Sequence, residues 1–331
     1  MADLITFGEV MIRLSPPNYK RLEQTDSLDV RVGGGEYNVA VGAARLGLLS
    51  SAFVSRLPNN ALGKMACNKA REHGVDVSHI AWTDDDRMGL YFTEFGAKPR
   101  ASSVLYDRKH SAISQIQPGE IDWGSVFADA KAYHVSGITP ALSENAAQVT
   151  AESMQSAKAA GVKVSVDLNY RARLWSQDEA NRVMTNLMQY TDILITTEED
   201  CNRVFKIEGN DYSEVARKLR DTFGFEAVAI TLRENPRVWI NNWSAIVLHE
   251  DTIYDAPTFE VEIVDRVGGG DSFSAGFLSA YINQGDPDAA CKLGVAFSAL
   301  KHSVSGDLNW CTLAEAEALA KSGGGNLRIA R

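Results

Sequence analysis

Asp265-Arg266-Val267-Gly268-Gly269-Gly270-Asp271 places three glycines between two carboxylates. Beyond this run Phe273, Phe277 and Tyr281 recur at i, i+4 and i+8, which predicts a buried helix beginning at or near Asp271. Glycines ahead of a helix permit unusual backbone angles and let a ligand approach the main chain with no Cβ in the way. The unpaired N–H groups of the first turn then form a seat for an anion, which the helix dipole favours. A phosphoryl group in transfer is such an anion. Asp271, at the rim of this seat, could take the proton of an attacking hydroxyl while the N–H groups around Gly268, Gly269 and Gly270 stabilise the transferred group. An aspartate after a glycine-rich turn is also a good helix N-cap, so this run alone does not decide between chemistry and capping.

A second glycine cluster moves the balance toward chemistry. Val32-Gly33-Gly34-Gly35-Glu36-Tyr37-Asn38-Val39-Ala40 again has glycines opening a helix, with the polar Asn38 one turn in. Taken singly it could be a tight connection with close helix packing. Other nucleotide-binding patterns are absent: there is no G-x-G-x-x-G, and Leu62-Gly63-Lys64-Met65 lacks the first glycine and the hydroxyl residue of a P-loop.

The elements that must hold these clusters show in the hydrophobic pattern. Apolar runs bounded by turn residues occur at Leu4 to Phe7, Ser51 to Val54, Ala132 to Val135, Lys163 to Val166, Ile193 to Ile195 and Ala227 to Thr231. Helical patterns lie between or beside them, over 38–46, 145–160, 178–189 and 212–223. Alternating strands and helices predict an α/β fold with a doubly wound, mostly parallel sheet covered on both faces. Segments 10–32 and 88–109 break the rhythm with short alternating strands such as Leu90-Tyr91-Phe92-Thr93-Glu94-Phe95. They predict a small separate β-sheet, a discontinuous lid on a main domain of residues 1–9, 33–87 and 110–331, able to cover a site or form a homo-oligomer contact.

Composition narrows the function classes. The chain has 331 residues, 45% hydrophobic and 23% charged, an ordinary globular balance with room for a sizeable core. A formal charge of -10 argues against nonspecific attraction to nucleic acid or anionic membranes. No run approaches the ~18 apolar residues of a membrane helix, and the first segment reads as a core strand, so a cytoplasmic protein is expected. Cys67, Cys201, Cys291 and Cys311 are scattered, which suits buried thiols in a reducing compartment, and the histidines lack metal-site spacing.

The two glycine motifs resemble the signatures of the ribokinase-like, or PfkB, family of carbohydrate kinases, and the resemblance covers essentially the whole chain. Gly33 through Asn38 and on to Gly47 corresponds to the N-terminal signature. Asp265 through Asp271 corresponds to the C-terminal one, usually Asp-Thr-x-Gly-Ala-Gly-Asp, with Arg266 in place of Thr and Gly269 in place of Ala. Within the family the chain looks most like the kinases of 2-keto-3-deoxygluconate, through Gly89-Leu90-Tyr91, Tyr106-Asp107-Arg108, Asp167-Leu168-Asn169-Tyr170-Arg171 and Gly306-Asp307. The resemblance implies ATP-dependent phosphorylation of the sugar acid's 6-hydroxyl with Asp271 as base. It implies that Gly34, Gly35, Asn38, Tyr91, Tyr106, Arg108, Arg171 and Asp307 bind the substrate. Nucleotide would be held by Asn169, the Thr231-Leu232-Arg233-Glu234 turn, Gly268, Gly270 and the helix near 296–301. Glu199 would be linked to Mg²⁺, although Thr196 replaces the Asn of the family's Asn-x-x-Glu motif, and a monovalent cation could also take part.

A carboxylate substrate on an acidic protein needs localised arginines, whose planar fork suits carboxylates. Each arginine taken singly would otherwise be read as a surface ion partner. Fructose or 5-keto-2-deoxygluconate remain alternative acceptors. A silent sugar-binding protein and a nicotinamide-dependent oxidoreductase are the alternatives of other classes; the intact Asp271 speaks against the first and the missing dinucleotide fingerprint against the second.

Overall fold

Runs of β-branched and apolar residues become strands whose side chains are buried throughout, as in Leu4–Phe7, Ala132–Ser136 and Ile193–Thr196. Burial along the whole strand, with no polar face, is what a sheet covered on both sides requires. The computed structural model describes residues 2–237 and 239–324, and the side chains of 235–237 are not described. In chain order the strands are β1 (Leu4–Phe7), β2 (Met11–Ser15), β3 (Asp29–Gly33), β4 (Ser51–Pro58), β5 (Ile80–Thr83), β6 (Gly89–Glu94), β7 (Ser103–Asp107), β8 (Ala132–Ser136), β9 (Lys163–Asp167), β10 (Ile193–Thr196), β11 (Ala227–Arg237), β12 (Ile240–His249), β13 (Thr252–Asp255) and β14 (Phe259–Glu262).

The main sheet has ten strands in the order β13-β12-β11-β10-β9-β8-β1-β4-β5, with β14 also on β12. Every neighbour from β5 across to β11 is parallel, and β12, β13 and β14 add antiparallel pairings at one edge. The chain winds from β1 out to β4 and β5, then returns to β8 on the other side of β1. Between β1 and β8 the winding therefore reverses. In open parallel sheets the crevice at the carboxyl ends of such strands is where ligands bind.

The expected helices form, with ends set by local capping. Helix Gln177–Met188 begins at Ser176, whose hydroxyl accepts from Glu179 N (3.2 Å) while Glu179 Oε2 accepts from Ser176 N (3.1 Å). Helices Gly35–Leu46, Gly269–Gln284 and Pro287–His302 pack together with very small separations. A Cβ on Gly42 would stand 2.7 Å from the Ala275 Cβ, and one on Gly276 2.9 Å from the Gly294 Cα. This close packing sets the two glycine clusters side by side above β1 and β8. No helix among the described residues is long and apolar enough to cross a membrane.

The segments that break the α/β rhythm supply a separate four-stranded sheet, ordered β3-β2-β6-β7. Its outer pairs are antiparallel and its central β2–β6 pair is parallel. In β6 alternate residues Gly89, Tyr91 and Thr93 are buried, so one face of this sheet lies against the main body. One expectation needs correction here. Residues 231–234 are not a turn but continuous strand within β11, with Thr231 opposite Ala245 and Glu234 opposite Asn242. The hairpin partner β12 takes up their backbone groups, so the strand runs on past the apolar stretch where the pattern alone suggested it ended.

Candidate active site

Gly268 adopts φ +84° as the N-cap of helix Gly269–Gln284, and a Cβ there would fall 2.0 Å from the Asp307 carbonyl oxygen, so only glycine fits. Gly269 N donates to Arg266 O and Ser272 N to Gly268 O. The N–H groups of Gly270 and Asp271 are thereby left at the open helix start. Asp271 is the third helical residue rather than the N-cap, which removes the capping explanation for its carboxylate.

Its Oδ2 instead accepts from Asn38 Nδ2 at 2.6 Å, across the gap between the two glycine clusters. Asn38 is itself held by Gly34, whose N–H donates to Asn38 Oδ1 (3.3 Å) and whose carbonyl accepts from Asn38 N (2.8 Å). A Cβ on Gly35 would lie 3.9 Å from Asp271 Oδ1, so Gly35 leaves an approach to the carboxylate open. Gly34 has no such latitude, since a Cβ there would stand 2.0 Å from Glu9 O. Gly34→Ala should therefore destabilise the protein by about 1–3 kcal/mol through overpacking, seen as an earlier unfolding midpoint, and lower activity with it.

Burial raises the Asp271 carboxyl to about 7, Glu36 adds to this, and the Asn38 donor works against it. Asp167, at the end of β9, is raised to about 8 by burial and by the charges of Asp271 and Asp200. Glu36 is buried and accepts from Ser136 N (2.9 Å), Ser136 Oγ (2.7 Å) and Thr139 Oγ1 (2.7 Å), which ties the first glycine helix to the end of β8. These carboxylates mark the winding reversal. Glu36 and Asp167 were part of the quoted motifs but carried no assigned role. The end of β9 for Asp167 and the first turn of the glycine-led helix for Glu36 were the available signals.

The small sheet supplies the opposite wall. Tyr91 and Tyr106 are cross-strand partners, stacked at 5.9 Å, and the Tyr91 hydroxyl donates to Asp307 Oδ1. Asp307 Oδ2 accepts from Arg13 Nη1 (2.7 Å), while Arg13 Nη2 donates to Asp265 Oδ2 (2.8 Å). Arg13 is 1% exposed and had no place in the sequence reading. Both Asp307 oxygens thus have protein partners, and Asp307 stands behind the pocket wall rather than on its surface. Burial raises its pKa while Arg13 opposes the shift.

Arg108 lies over the Tyr106 ring at 5.5 Å and pairs with Glu9, but its buried Nε has no hydrogen-bond partner. Arg171 is exposed and donates to Tyr170 O (3.1 Å), with Asp167, Asp200 and Asp271 in its electrostatic surroundings. Both arginines therefore retain donor capacity toward a ligand.

Asn169, just past the end of β9, has φ +37° and donates to Asp167 Oδ2 at 3.4 Å. Thr231 is partly buried, its hydroxyl 3.4 Å from Thr196 O, and Arg233 and Glu234 are exposed. Glu199 lies in the first turn of helix Glu198–Phe205, exposed and paired with Arg203, and it is its buried neighbour Asp200 whose charge acts on Asp167.

The family model described as pfkB family carbohydrate kinase matches residues 1–313. The chain belongs to the pfkB family of carbohydrate kinases. This pfkB kinase is 40% identical over 322 residues to a 2-dehydro-3-deoxygalactonokinase of Haloferax volcanii, covering 97% of this chain and 98% of that one. It is 30% identical to a 5-dehydro-2-deoxygluconokinase of Shouchella clausii, over 96% of this chain and 95% of the relative. Among solved structures, a 2-dehydro-3-deoxygluconokinase from Thermotoga maritima superposes with a TM-score of 0.93 at 41% identity, covering 96% of this chain and 98% of that one. The pfkB kinase thus has the expected α/β fold with its small extra sheet.

Proposed function

We propose that this kinase transfers the γ-phosphoryl group of ATP to the 6-hydroxyl of 2-keto-3-deoxygluconate, with Asp271 as general base. The observation that carries the reading is Asp271, raised to about 7, at a glycine-rich helix start and held by Asn38 from the second glycine helix. Asp271 accepts the hydroxyl proton as the sugar oxygen bonds to phosphorus, and the bond from phosphorus to the β,γ-bridging oxygen breaks to release ADP. The Gly268 to Gly270 turn and the helix dipole face the phosphoryl group as its charge spreads.

Asn169, Thr231, Arg233 and Glu234 border the side assigned to the nucleotide. Mg²⁺ bound with ATP would neutralise phosphate charge, and Asp167, partly exposed and with its pKa raised by burial and by the charges of Asp271 and Asp200, would help hold it. Glu199 is the further acid that the resemblance offers.

Support for a sugar acid comes from Arg108 Nε and the Arg171 guanidinium, which keep donors free in a strongly acidic surround. Two of the similar kinases are named for 2-keto-3-deoxy acids of opposite C4 configuration, and the third for 5-keto-2-deoxygluconate. Coupled measurement of ATP consumption with 2-keto-3-deoxygluconate, its galacto epimer, 5-keto-2-deoxygluconate and fructose tests the assignment. A lost charged hydrogen bond costs about 1.5–3 kcal/mol, so Arg108→Ala or Arg171→Ala should lower kcat/KM for the acid roughly tenfold to a hundredfold. Turnover of fructose should change little, and a wild-type preference for fructose would overturn the sugar-acid reading.

The small sheet, in segments 10–32 and 88–109, acts as a lid over the sugar in this reading, with Gly34, Gly35, Asn38, Tyr91 and Tyr106 lining the space and Asp307 anchoring the lid. Its outer residues Val30 and Leu105 are exposed and could form a contact with a second copy. Substrate should slow hydrogen exchange in both segments, because closure excludes the water that would otherwise accept the phosphoryl group. Unchanged protection in both would count against a lid.

A further inference from the structure

A sealed-off lysine lies directly beneath the catalytic turn. Lys301, in the last turn of helix Pro287–His302, is 0% exposed. Its Nζ donates to two main-chain carbonyls, Asp265 O at 3.1 Å and Val304 O at 3.0 Å. Asp265 opens the run that ends at Asp271, and Val304 begins the loop that carries Asp307. The lysine Cε lies 3.4 Å from where a Gly268 Cβ would stand. A lysine capping a helix C-terminus ordinarily binds the last carbonyls of its own helix from the solvent side. This one reaches across to a carbonyl of a different segment and is closed in.

The surroundings are those of a cation seat. Main-chain carbonyls are the groups that replace water around an alkali ion in protein sites. The neighbouring charges balance: Asp265 and Asp307 provide two buried carboxylates, and Arg13 and Lys301 two buried cations. Asp265 is further fixed by Val267 N on Oδ1 (3.1 Å) and Gly306 N on Oδ2 (3.0 Å). The ammonium therefore sits where the two loops bordering Gly268 meet, and it holds a carbonyl of each.

We propose that Lys301 is a positioning residue for phosphoryl transfer, a tethered ammonium that occupies the carbonyl-lined seat under Gly268–Asp271 and makes a dissolved monovalent cation unnecessary. The proposal rests on the kinase reading of this site. Pinning the Asp265 carbonyl orients the peptides that follow it, so that the helix-start N–H groups face the phosphoryl group without reorganising, and the fixed positive charge adds to their field.

The test compares wild type with Lys301→Ala, which vacates the seat, in potassium, ammonium and choline chloride at equal ionic strength. Wild-type turnover and melting temperature should be the same in all three salts. Lys301→Ala should lose turnover by roughly tenfold to a thousandfold in choline, the scale of losing one fixed electrostatic contact. Ammonium or potassium should restore part of that turnover and raise the variant's melting temperature relative to choline. A merely structural lysine would give a loss that no cation repairs. Lys301→Met keeps the packing of the stem if Ala does not fold, and wild-type turnover in it would overturn the proposal. So would wild-type turnover that climbs with potassium, or an Ala variant whose activity and melting temperature ignore the cation. Should wild type phosphorylate none of the sugars, the kinase reading fails, and the melting comparison still judges the lysine.

Discussion

Asp271→Asn is expected to lower turnover by about 10² to 10⁴, the usual worth of a positioned general base, while ATP binding stays nearly intact. The amide keeps the shape of the carboxylate and can still accept from Asn38, so the loss reads proton acceptance rather than collapse of the turn. Single-turnover kinetics together with nucleotide affinity would separate the two, and near wild-type turnover would exclude Asp271 as the base.

The raised pKa values add a pH signature. A base must be ionised, so wild-type kcat/KM should climb as pH passes through the region near 7 set by Asp271, with Asp167, near 8, coupled to it. Stability has the opposite sign. A carboxyl held above its usual 3.8 keeps its proton in the folded state when the unfolded chain has already released it. Its stabilising contribution is full below about pH 4 and is lost as pH rises toward the folded values of about 7 and 8. Asp271→Asn should therefore melt higher than wild type near pH 8, by a margin that shrinks toward pH 4. Catalytic loss with a stability gain is the combination expected where function holds a strained charge.

What the sequence made legible was local. Glycines before Phe273, Phe277 and Tyr281 marked a helix start because backbone freedom and helical spacing are properties of neighbouring residues. The six apolar runs marked strands for the same reason, and the segments lacking helical spacing marked the separate sheet. The 231–234 segment was misread because its strand character comes from β12, whose pairing the local pattern did not disclose. Arg13 was invisible in a different way. Nothing near it in sequence is acidic at bonding distance, and its partners Asp265 and Asp307 lie 252 and 294 residues away. Lys301 lies in the helix near 296–301 that the resemblance assigns to the nucleotide, and its burial beneath the glycine turn shows only once the fold closes over it. Asp307 could be picked out by resemblance, but its side chain turns inward to Arg13 and Tyr91, a placement that only the packed small sheet determines.

That buried cluster sets the second large expectation, on stability. Arg13→Met should cost about 3–5 kcal/mol, the range for removing one partner of a buried ion pair, because Asp265 and Asp307 would lose the cation that both of them face. Exposed pairs such as Lys69 with Glu72 offer the contrast, since breaking one changes stability by about 0–1 kcal/mol. Burial works against the charge on Arg13 itself, yet Asp307 and Asp265 outweigh it and hold the guanidinium charged. The methionine fills much of the same space, so the cost is electrostatic rather than a cavity. It should then depend on pH in a definite direction. Asp307 is already pushed above its usual range by burial, with Arg13 opposing the shift, and without that cation it takes up a proton more readily. The deficit between variant and wild type should narrow as pH falls, because a neutral Asp307 no longer needs a partner. Denaturant unfolding at several pH values would show this, and Arg13→Met combined with Asp307→Asn should recover part of the loss, since one uncompensated charge is removed. A deficit below about 1 kcal/mol, or one that does not change with pH, would mean that solvent reaches the cluster and that the small sheet is not locked to the catalytic turn through Arg13.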